Sequence, residues 1–314
     1  MPVRKLQIGI IGLGRWGTNI LKNVLKTKDI TLASVATRNT QIFEKIPKKC
    51  RIFNDWKELI DNSDLDGVIV STPAETHYEI AYKTIKKGIN TLVEKPLTIN
   101  INESEILRDI SNEKKILLMT EFTQIYNPKF QKMKQSLYLA GNLKNIYTEA
   151  GNFGPIRKKT PVLFDWGSHE LSILISLLGT LPNQISAHKI NEKQNKNGEE
   201  SNWEIFCEFN NNLRTKSIFG NYKEKIREIF VYGEKGTLYL NDIGKDSLQF
   251  INSKEYNTHF NENIQLINIE NKNEPLFIAL KSFFDSIRNK EYNHWSLNLG
   301  VDITKLLSKC LTNQ

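Results

Sequence analysis

The chain has 314 residues, carries 43 Lys+Arg against 35 Asp+Glu for a net charge of +8, and is 39% hydrophobic and 25% charged. These proportions suit a globular protein of about two domains and exclude wholesale disorder, collagen-like repeats and a membrane-embedded chain. The basic excess is spread thinly, in clusters such as Lys48-Lys49 and Arg157-Lys158-Lys159 without aromatic interleaving, so it reads as solvated surface and predicts neither a nucleic-acid nor a membrane partner.

From Leu6 to Met119 short apolar runs alternate with helical segments. Strands are predicted at 6–11, 30–36, 67–70, 91–93 and 116–119, with helices at 16–25, 41–45, 55–60, 76–87 and 101–112. Strands that are apolar throughout and separated by helices pair in parallel under cover on both faces, so 1–121 reads as a doubly wound α/β domain. Arg4 and Lys5 precede the first apolar run, but Gly9 and Gly12 interrupt it and Arg15 ends it without a small-residue cleavage site, which makes a poor export signal.

After Thr120 strands follow one another at 144–150, 184–190, 203–209, 215–219, 226–232, 237–240, 248–251 and 264–269. Without intervening helices they suggest a large, mainly antiparallel open sheet, and an α+β domain over 122–314. Helices at 165–178, 276–288 and 298–311 are expected to pack on it, with polar loops at 191–201 and 261–263. The longest apolar run of this half, Leu171 to Leu178, falls well short of the roughly 20 residues that cross a bilayer. Cys50, Cys207 and Cys310 lie far apart and outside any CxxC spacing, as small buried hydrophobes of a reducing compartment would, so the expected location is the cytoplasm.

Gly12-Leu13-Gly14-Arg15-Trp16-Gly17 follows the first strand and opens a helix. In that setting Gly12 makes a tight turn, Gly14 lets backbone approach a pyrophosphate and Gly17 allows close helix packing, with Arg15 and Trp16 beside the cofactor on the helix's positive end. The second strand ends Ala36-Thr37-Arg38-Asn39 with no carboxylate for a ribose 2′-hydroxyl, whereas the Thr37 hydroxyl and the Arg38 fork suit a 2′-phosphate. The expected cofactor is NADP(H), with NAD as the alternative.

Ser71-Thr72-Pro73-Ala74-Glu75-Thr76-His77 closes the strand at 67–70, and Glu94-Lys95-Pro96 closes the strand at 91–93. Both stand at carboxyl ends of parallel strands, where a doubly wound sheet places its ligand crevice, which makes Ser71, Thr72, Pro73, His77, Glu94 and Lys95 candidate cofactor residues. Asp165-Trp166-Gly167-Ser168-His169 opens a helix of the second half. Hydride loss from a carbinol needs a base for its proton and positive charge for the developing oxyanion; His169 can serve as the first and Lys95 as the second. Asp165 and His169 are one helical turn apart on one face, with Ser172 and Ser176 continuing a polar stripe opposite Leu171, Leu174, Ile175 and Leu178. His77 either shapes the cofactor loop or packs at a helix start; Tyr126, Phe153 and Trp166 either stack on a substrate ring or belong to the core. His188, His259 and His294 have no ligand spacing, and no metal site is expected.

Taken together, GLGRWG, STPAETH, VEKP, YNP at Tyr126–Pro128 and DWGSH resemble, in order and spacing, the glucose-fructose oxidoreductase / inositol dehydrogenase (Gfo/Idh/MocA) family. The resemblance spans essentially the whole chain. It implies a nicotinamide-dependent oxidoreductase acting on a sugar or nucleotide sugar, with an N-terminal Rossmann domain and a C-terminal sheet through which a homodimer or homotetramer assembles. It also implies Lys95, Asp165 and His169 as the catalytic lysine, aspartate and histidine, and a cis Lys95–Pro96 peptide. Ile125 and Ser172 stand where the family often has Arg and Asp, so its sugar contacts do not carry over. The alternatives are an NAD-linked polyol or sugar dehydrogenase and a catalytically silent dinucleotide-binding regulator; the intact Lys95 and His169 argue against the silent form.

Overall fold

The computed structural model describes residues 4–245, 247–252 and 264–312. The loop expected at 261–263 and His259 lie outside them. The chain divides into two compact units, one formed by residues up to Thr123 together with Leu276–Lys305, the other by Gln124–Pro275 and the chain from Leu306 on.

The first unit is a six-stranded parallel sheet of β1 (Leu6–Ile11), β2 (Ile30–Ala36), β3 (Arg51–Phe53), β4 (Gly67–Val70), β5 (Asn90–Glu94) and β6 (Leu118–Glu121), in the order β3-β2-β1-β4-β5-β6. The apolar alternation with helices thus gives the expected doubly wound sheet, with β3 an addition that its exposed, basic start hid from the sequence. Right-handed crossovers put the helices on opposite faces according to the direction in which the chain travels across the sheet. One face takes α2 (Trp56–Asn62), α3 (His77–Lys86) and α4 (Ile101–Lys114) against Val68, Val70 and Leu118. The other has α1 (Arg15–Lys26) over β1 and β2. A helix about 10–12 Å across cannot cover six strands spaced about 4.8 Å apart. The uncovered part, Ile69, Leu92, Leu117 and Met119, is closed by Leu276, Leu280, Phe283 and Phe284 of α7, which runs Pro275–Arg288.

This corrects the expectation that both terminal helices lie on the second sheet: α7 belongs to the first. The last helix (Trp295–Thr312) gives Leu297 and Val301 to the first core, while its Leu307 lies against Gly167 in the second unit. The intervening helices are α5 (Pro128–Gln135) and α6 (Val162–Leu178). Helix α5 is absent from the predicted elements, although its Pro at the first turn and its Asn127 cap, with Asn127 Oδ1 accepting from Lys129 N–H at 3.0 Å, are ordinary helix-start signals.

The second unit is an eight-stranded sheet with the order β14-β13-β12-β11-β7-β10-β9-β8. Its strands are β7 (Leu143–Gly151), β8 (Gln184–Asn195), β9 (Gly198–Glu208), β10 (Arg214–Gly220), β11 (Ile226–Gly233), β12 (Gly236–Asn241), β13 (Leu248–Asn252) and β14 (Ile264–Leu266). All neighbours are antiparallel except β7 and β10, so the sheet is mainly antiparallel as expected. The polar stretch at 191–201 is not a loop but the end of the β8–β9 hairpin, paired from Asn191–Asn202 to Asn195–Gly198. Its polarity reflects a ribbon wet on its outer side, which sequence polarity alone does not separate from a loop. Along β7 and β11, Ile146, Thr148, Ala150, Ile229 and Val231 are buried, while Tyr147, Glu149, Phe230 and Tyr232 face the opposite way. The buried side is the one α6 covers.

Candidate functional site

The glycine loop follows the requirements of a dinucleotide turn residue by residue. Gly12 has φ +92°, which an L side chain rarely adopts, and a Cβ there would come within 2.8 Å of Thr72 Cγ2. A Cβ on Gly17 would stand 2.0 Å from the Gly12 carbonyl and 2.8 Å from Ser71 Oγ. At Gly14 nothing lies within 4 Å of the Cβ position, although the residue caps α1. It contributes no side chain to the first N–H groups, and the first turn of α1 has no acidic residue to repel an anion. Two tight positions and one open cradle at a helix N-terminus fit a pyrophosphate.

The neighbouring turns are tied to this loop. Ser71 Oγ donates to the Gly12 carbonyl at 2.6 Å, and Asn39 Nδ2 donates to the Leu13 carbonyl at 3.1 Å. Thr37 is buried and its Oγ1 accepts from Asn39 N–H at 3.1 Å, while Arg38 is exposed and has no partner among the described residues. Thr72 is half-buried, its hydroxyl bonded by that of Thr76 at 2.7 Å, and Pro73 is exposed. Buried His77 joins two of the segments: Nε2 lies 2.9 Å from the Thr72 carbonyl and Nδ1 2.8 Å from the Pro96 carbonyl. Carbonyls only accept, so each of these contacts is a hydrogen bond when the ring nitrogen facing it carries a proton. The Lys95–Pro96 peptide is cis, as expected, and Lys95 is half-buried.

Beside Lys95 lies a feature the sequence reading missed. Glu94 and Glu121 are register partners at the ends of β5 and β6, and both are buried. The Trp16 indole N–H donates to Glu94, and Thr123 Oγ1 donates to Glu121 Oε2 at 2.6 Å. Burial pushes both carboxyls above their usual range, the Glu121 charge raises Glu94 further, and Lys95 opposes the rise in each. Two adjacent buried carboxylates cannot both ionise readily, so the pair holds a proton to higher pH than a free carboxyl would. A carboxylate at the carboxyl end of an apolar parallel strand was the available signal. Because the folded chain holds this proton more tightly than the unfolded one, the associated stability is complete below the ordinary value of 4.5 and is lost as pH rises through the raised folded value. Glu121→Gln, neutral at every pH, should therefore melt higher than the parent at pH 8 and gain little at pH 4; an offset independent of pH in thermal denaturation would refute the shared proton.

In the second unit α6 carries Asp165 and His169. A Cβ on Gly167 would lie 3.2 Å from Phe219 Cζ and 3.4 Å from Ile205 Cδ1, so the glycine lets the helix sit close on the sheet. From Val162 to Ile175 every residue is buried except His169, which is half-exposed. The expected polar stripe is thus corrected: Ser172 is buried with its hydroxyl on the His169 carbonyl at 2.7 Å, and Leu178 is half-buried. Serine hydroxyls can be absorbed by the preceding helical turn, which removes their need for water. Asp165 accepts from Arg157 Nε at 2.6 Å, so this arginine, expected on solvated surface, instead pairs with a buried carboxylate. Of the aromatic candidates, Trp166 is buried, Tyr126 is half-buried and Phe153 is 62% exposed. Among the described residues no three of His, Cys, Asp and Glu gather as metal ligands, and no helix is long and apolar enough to cross a membrane.

Comparison with known proteins agrees with this layout. The chain is 25% identical over 206 residues to the scyllo-inositol 2-dehydrogenase (NADP(+)) of Bacillus subtilis, covering 62% of this chain and 57% of that protein. It is 25% identical over 187 residues to the UDP-N-acetylglucosamine 3-dehydrogenase of Acidithiobacillus ferrooxidans, covering 58% and 57%. The matched region thus spans little more than half the length of these two relatives. A provisionally assigned oxidoreductase from Magnetospirillum magnetotacticum MS-1 superposes with a TM-score of 0.89 at 28% identity, over 98% of this chain and 99% of that one. Residues 6–122 match the Gfo/Idh/MocA family model for an NAD-binding Rossmann fold and residues 143–311 its model for a C-terminal alpha/beta domain, so this chain belongs to the Gfo/Idh/MocA oxidoreductase family.

Proposed function

We propose that the protein transfers hydride between NADP(H) and a carbinol or ketone carbon of a sugar or nucleotide sugar. The carrying observation is the open cradle at Gly14, flanked by two positions where a Cβ does not fit, at the start of a helix with no side-chain cap. Gly12, Gly14 and Gly17, with the first N–H groups of α1, would hold the pyrophosphate; Ser71, Thr72 and His77 would shape the wall beside it. Bound nicotinamide supplies a hydride acceptor or donor. Lys95 would stabilise the substrate oxygen with its ammonium, and His169, the half-exposed residue of an otherwise buried helical stretch, would take or return the hydroxyl proton, with Asp165 one turn earlier to orient it.

Arg38 at the end of β2, exposed and without a carboxylate nearby in sequence, supports NADP(H) over NAD; the name of the Bacillus relative carries the same cofactor. Arg38→Ala should weaken NADPH binding by about 1.5–3 kcal/mol, as for a hydrogen bond to a charged group, and leave NADH nearly unchanged. Fluorescence titration with both cofactors measures it, and equal losses would sink the 2′-phosphate assignment.

The open face of the second sheet supports assembly into a homodimer or homotetramer. Phe230 stacks on Tyr239 with centroids 4.5 Å apart and on Tyr232 at 6.0 Å, an aromatic surface of the kind subunit interfaces favour. Light scattering on the purified chain reads the state directly. Buried, unpaired Cys50, Cys207 and Cys310, with burial pushing the Cys50 and Cys207 thiols up to about 12, suit the cytoplasm.

A further inference from the structure

The chain that leads from β7 into α6 is fixed within the second unit. Asn152 N–H donates to the Gly220 carbonyl at 3.3 Å and Gly154 N–H to the Asn221 carbonyl at 3.0 Å. Asn221 Nδ2 returns a bond to the Pro155 carbonyl at 3.5 Å, and a Cβ on Gly198 would meet the Arg157 carbonyl at 2.5 Å. So held, the segment brings Arg157 to Asp165, where Nε donates to Oδ2 at 2.6 Å. Asp165 is only 6% exposed, and a buried carboxylate is costly to leave unpaired, so the guanidinium is held at Asp165 through Nε.

That contact engages Nε and leaves both Nη groups of the fork. No other partner of Arg157 exists among the described residues, and its side chain is 41% exposed. Lys158 and Lys159 follow, both exposed and equally without partners among the described residues. From Asn152 to Phe164 the sequence has three cations and no carboxylate, and it also presents the exposed ring of Phe153. After Asp165 is counted, two positive charges remain, more than a neutral sugar or a single carboxylate requires. Lysines merely solvating a loop need no buried carboxylate to fix the arginine beside them.

We infer that residues 153–159 form a subsite for a phosphoryl group on the substrate, with Arg157 as an oriented fork and Lys158 and Lys159 as supporting charge. A planar guanidinium binds two phosphoryl oxygens at once, and lysines add point charge without fixing direction. Placed just before the helix of His169, the subsite would select phosphorylated or nucleotide-linked sugars over free polyols. The inference deepens the oxidoreductase reading and relies on it only for the sugar part of the ligand.

UDP is a suitable probe, titrated calorimetrically into protein already saturated with NADPH so that the dinucleotide cradle is filled. The wild type should bind UDP, and Lys158→Glu/Lys159→Glu, a surface change that spares the fold, should weaken it about tenfold or more, with less salt dependence. Arg157→Gln should weaken it similarly and Arg157→Lys less. Absence of UDP binding, an unchanged dissociation constant in the double lysine variant, or D-glucuronate binding as tightly as UDP would each overturn the subsite. If NADPH fails to bind, the oxidoreductase reading fails instead, and the same UDP titrations on cofactor-free protein still decide the subsite.

Discussion

His169→Ala should lower turnover about 10²–10⁴-fold while leaving the NADPH dissociation constant almost unaltered. The imidazole belongs to the second unit, on α6, whereas the glycine loop and its supporting turns belong to the first. Lys95→Ala should harm both quantities, because the lysine follows Glu94, the last residue of β5, which bonds the Trp16 indole of the glycine loop. The double variant should be little worse than the poorer single one, since both residues would act on one proton and one oxygen and such units are not additive. Asp165→Asn should cost less than His169→Ala, because the role proposed for it is orientation and Arg157 still finds an oxygen on the amide. Steady-state rates with a verified substrate, beside cofactor titrations, separate these expectations. Full activity in His169→Ala would make Lys95 the sole acid/base and leave His169 as a sugar-binding residue.

The parts of the site that were legible in the sequence share one property: their requirements are local. GLGRWG declares its turn because a positive φ at Gly12 and forbidden Cβ positions at Gly12 and Gly17 leave glycine as the answer at those two points. The strands flanking it are apolar throughout because both faces are covered, and their ends place Ser71 and Lys95 without knowledge of anything distant. What escaped was pairing across the fold. Glu121 stands 27 positions from Glu94, and only the parallel register of β5 and β6 makes them neighbours. Arg157 resembles any surface cation until Asp165 is seen beneath it. The polar stripe on α6 failed for a related reason: periodicity marks which residues share a face, but burial of that face depends on the sheet and loops brought against it. The placement of α7 likewise follows from an area left uncovered by the crossovers, which no property of residues 275–288 announces.

Two alanine substitutions in the glycine loop should separate folding from cofactor binding. At Gly14 nothing stands within 4 Å of the added methyl, so Gly14→Ala should fold with a melting temperature close to the parent's. Its methyl would project into the cradle proposed for the pyrophosphate, and NADPH affinity should fall about tenfold or more as close backbone approach is lost. At Gly17 the methyl would meet the Gly12 carbonyl at 2.0 Å, and that carbonyl cannot move freely, since Ser71 Oγ bonds it at 2.6 Å and Gly12 N–H is bonded to the Ala36 carbonyl at 2.9 Å. Gly17→Ala must therefore shift α1 or open the turn, with a cost of about 1–3 kcal/mol for overpacking in addition to the loss of NADPH binding. Denaturant titration and NADPH fluorescence on the two variants give four numbers. A stable Gly14→Ala that binds NADPH like the parent would show that the cradle does not hold a dinucleotide; equal destabilisation by both substitutions would show that the openness at Gly14 does not govern its tolerance.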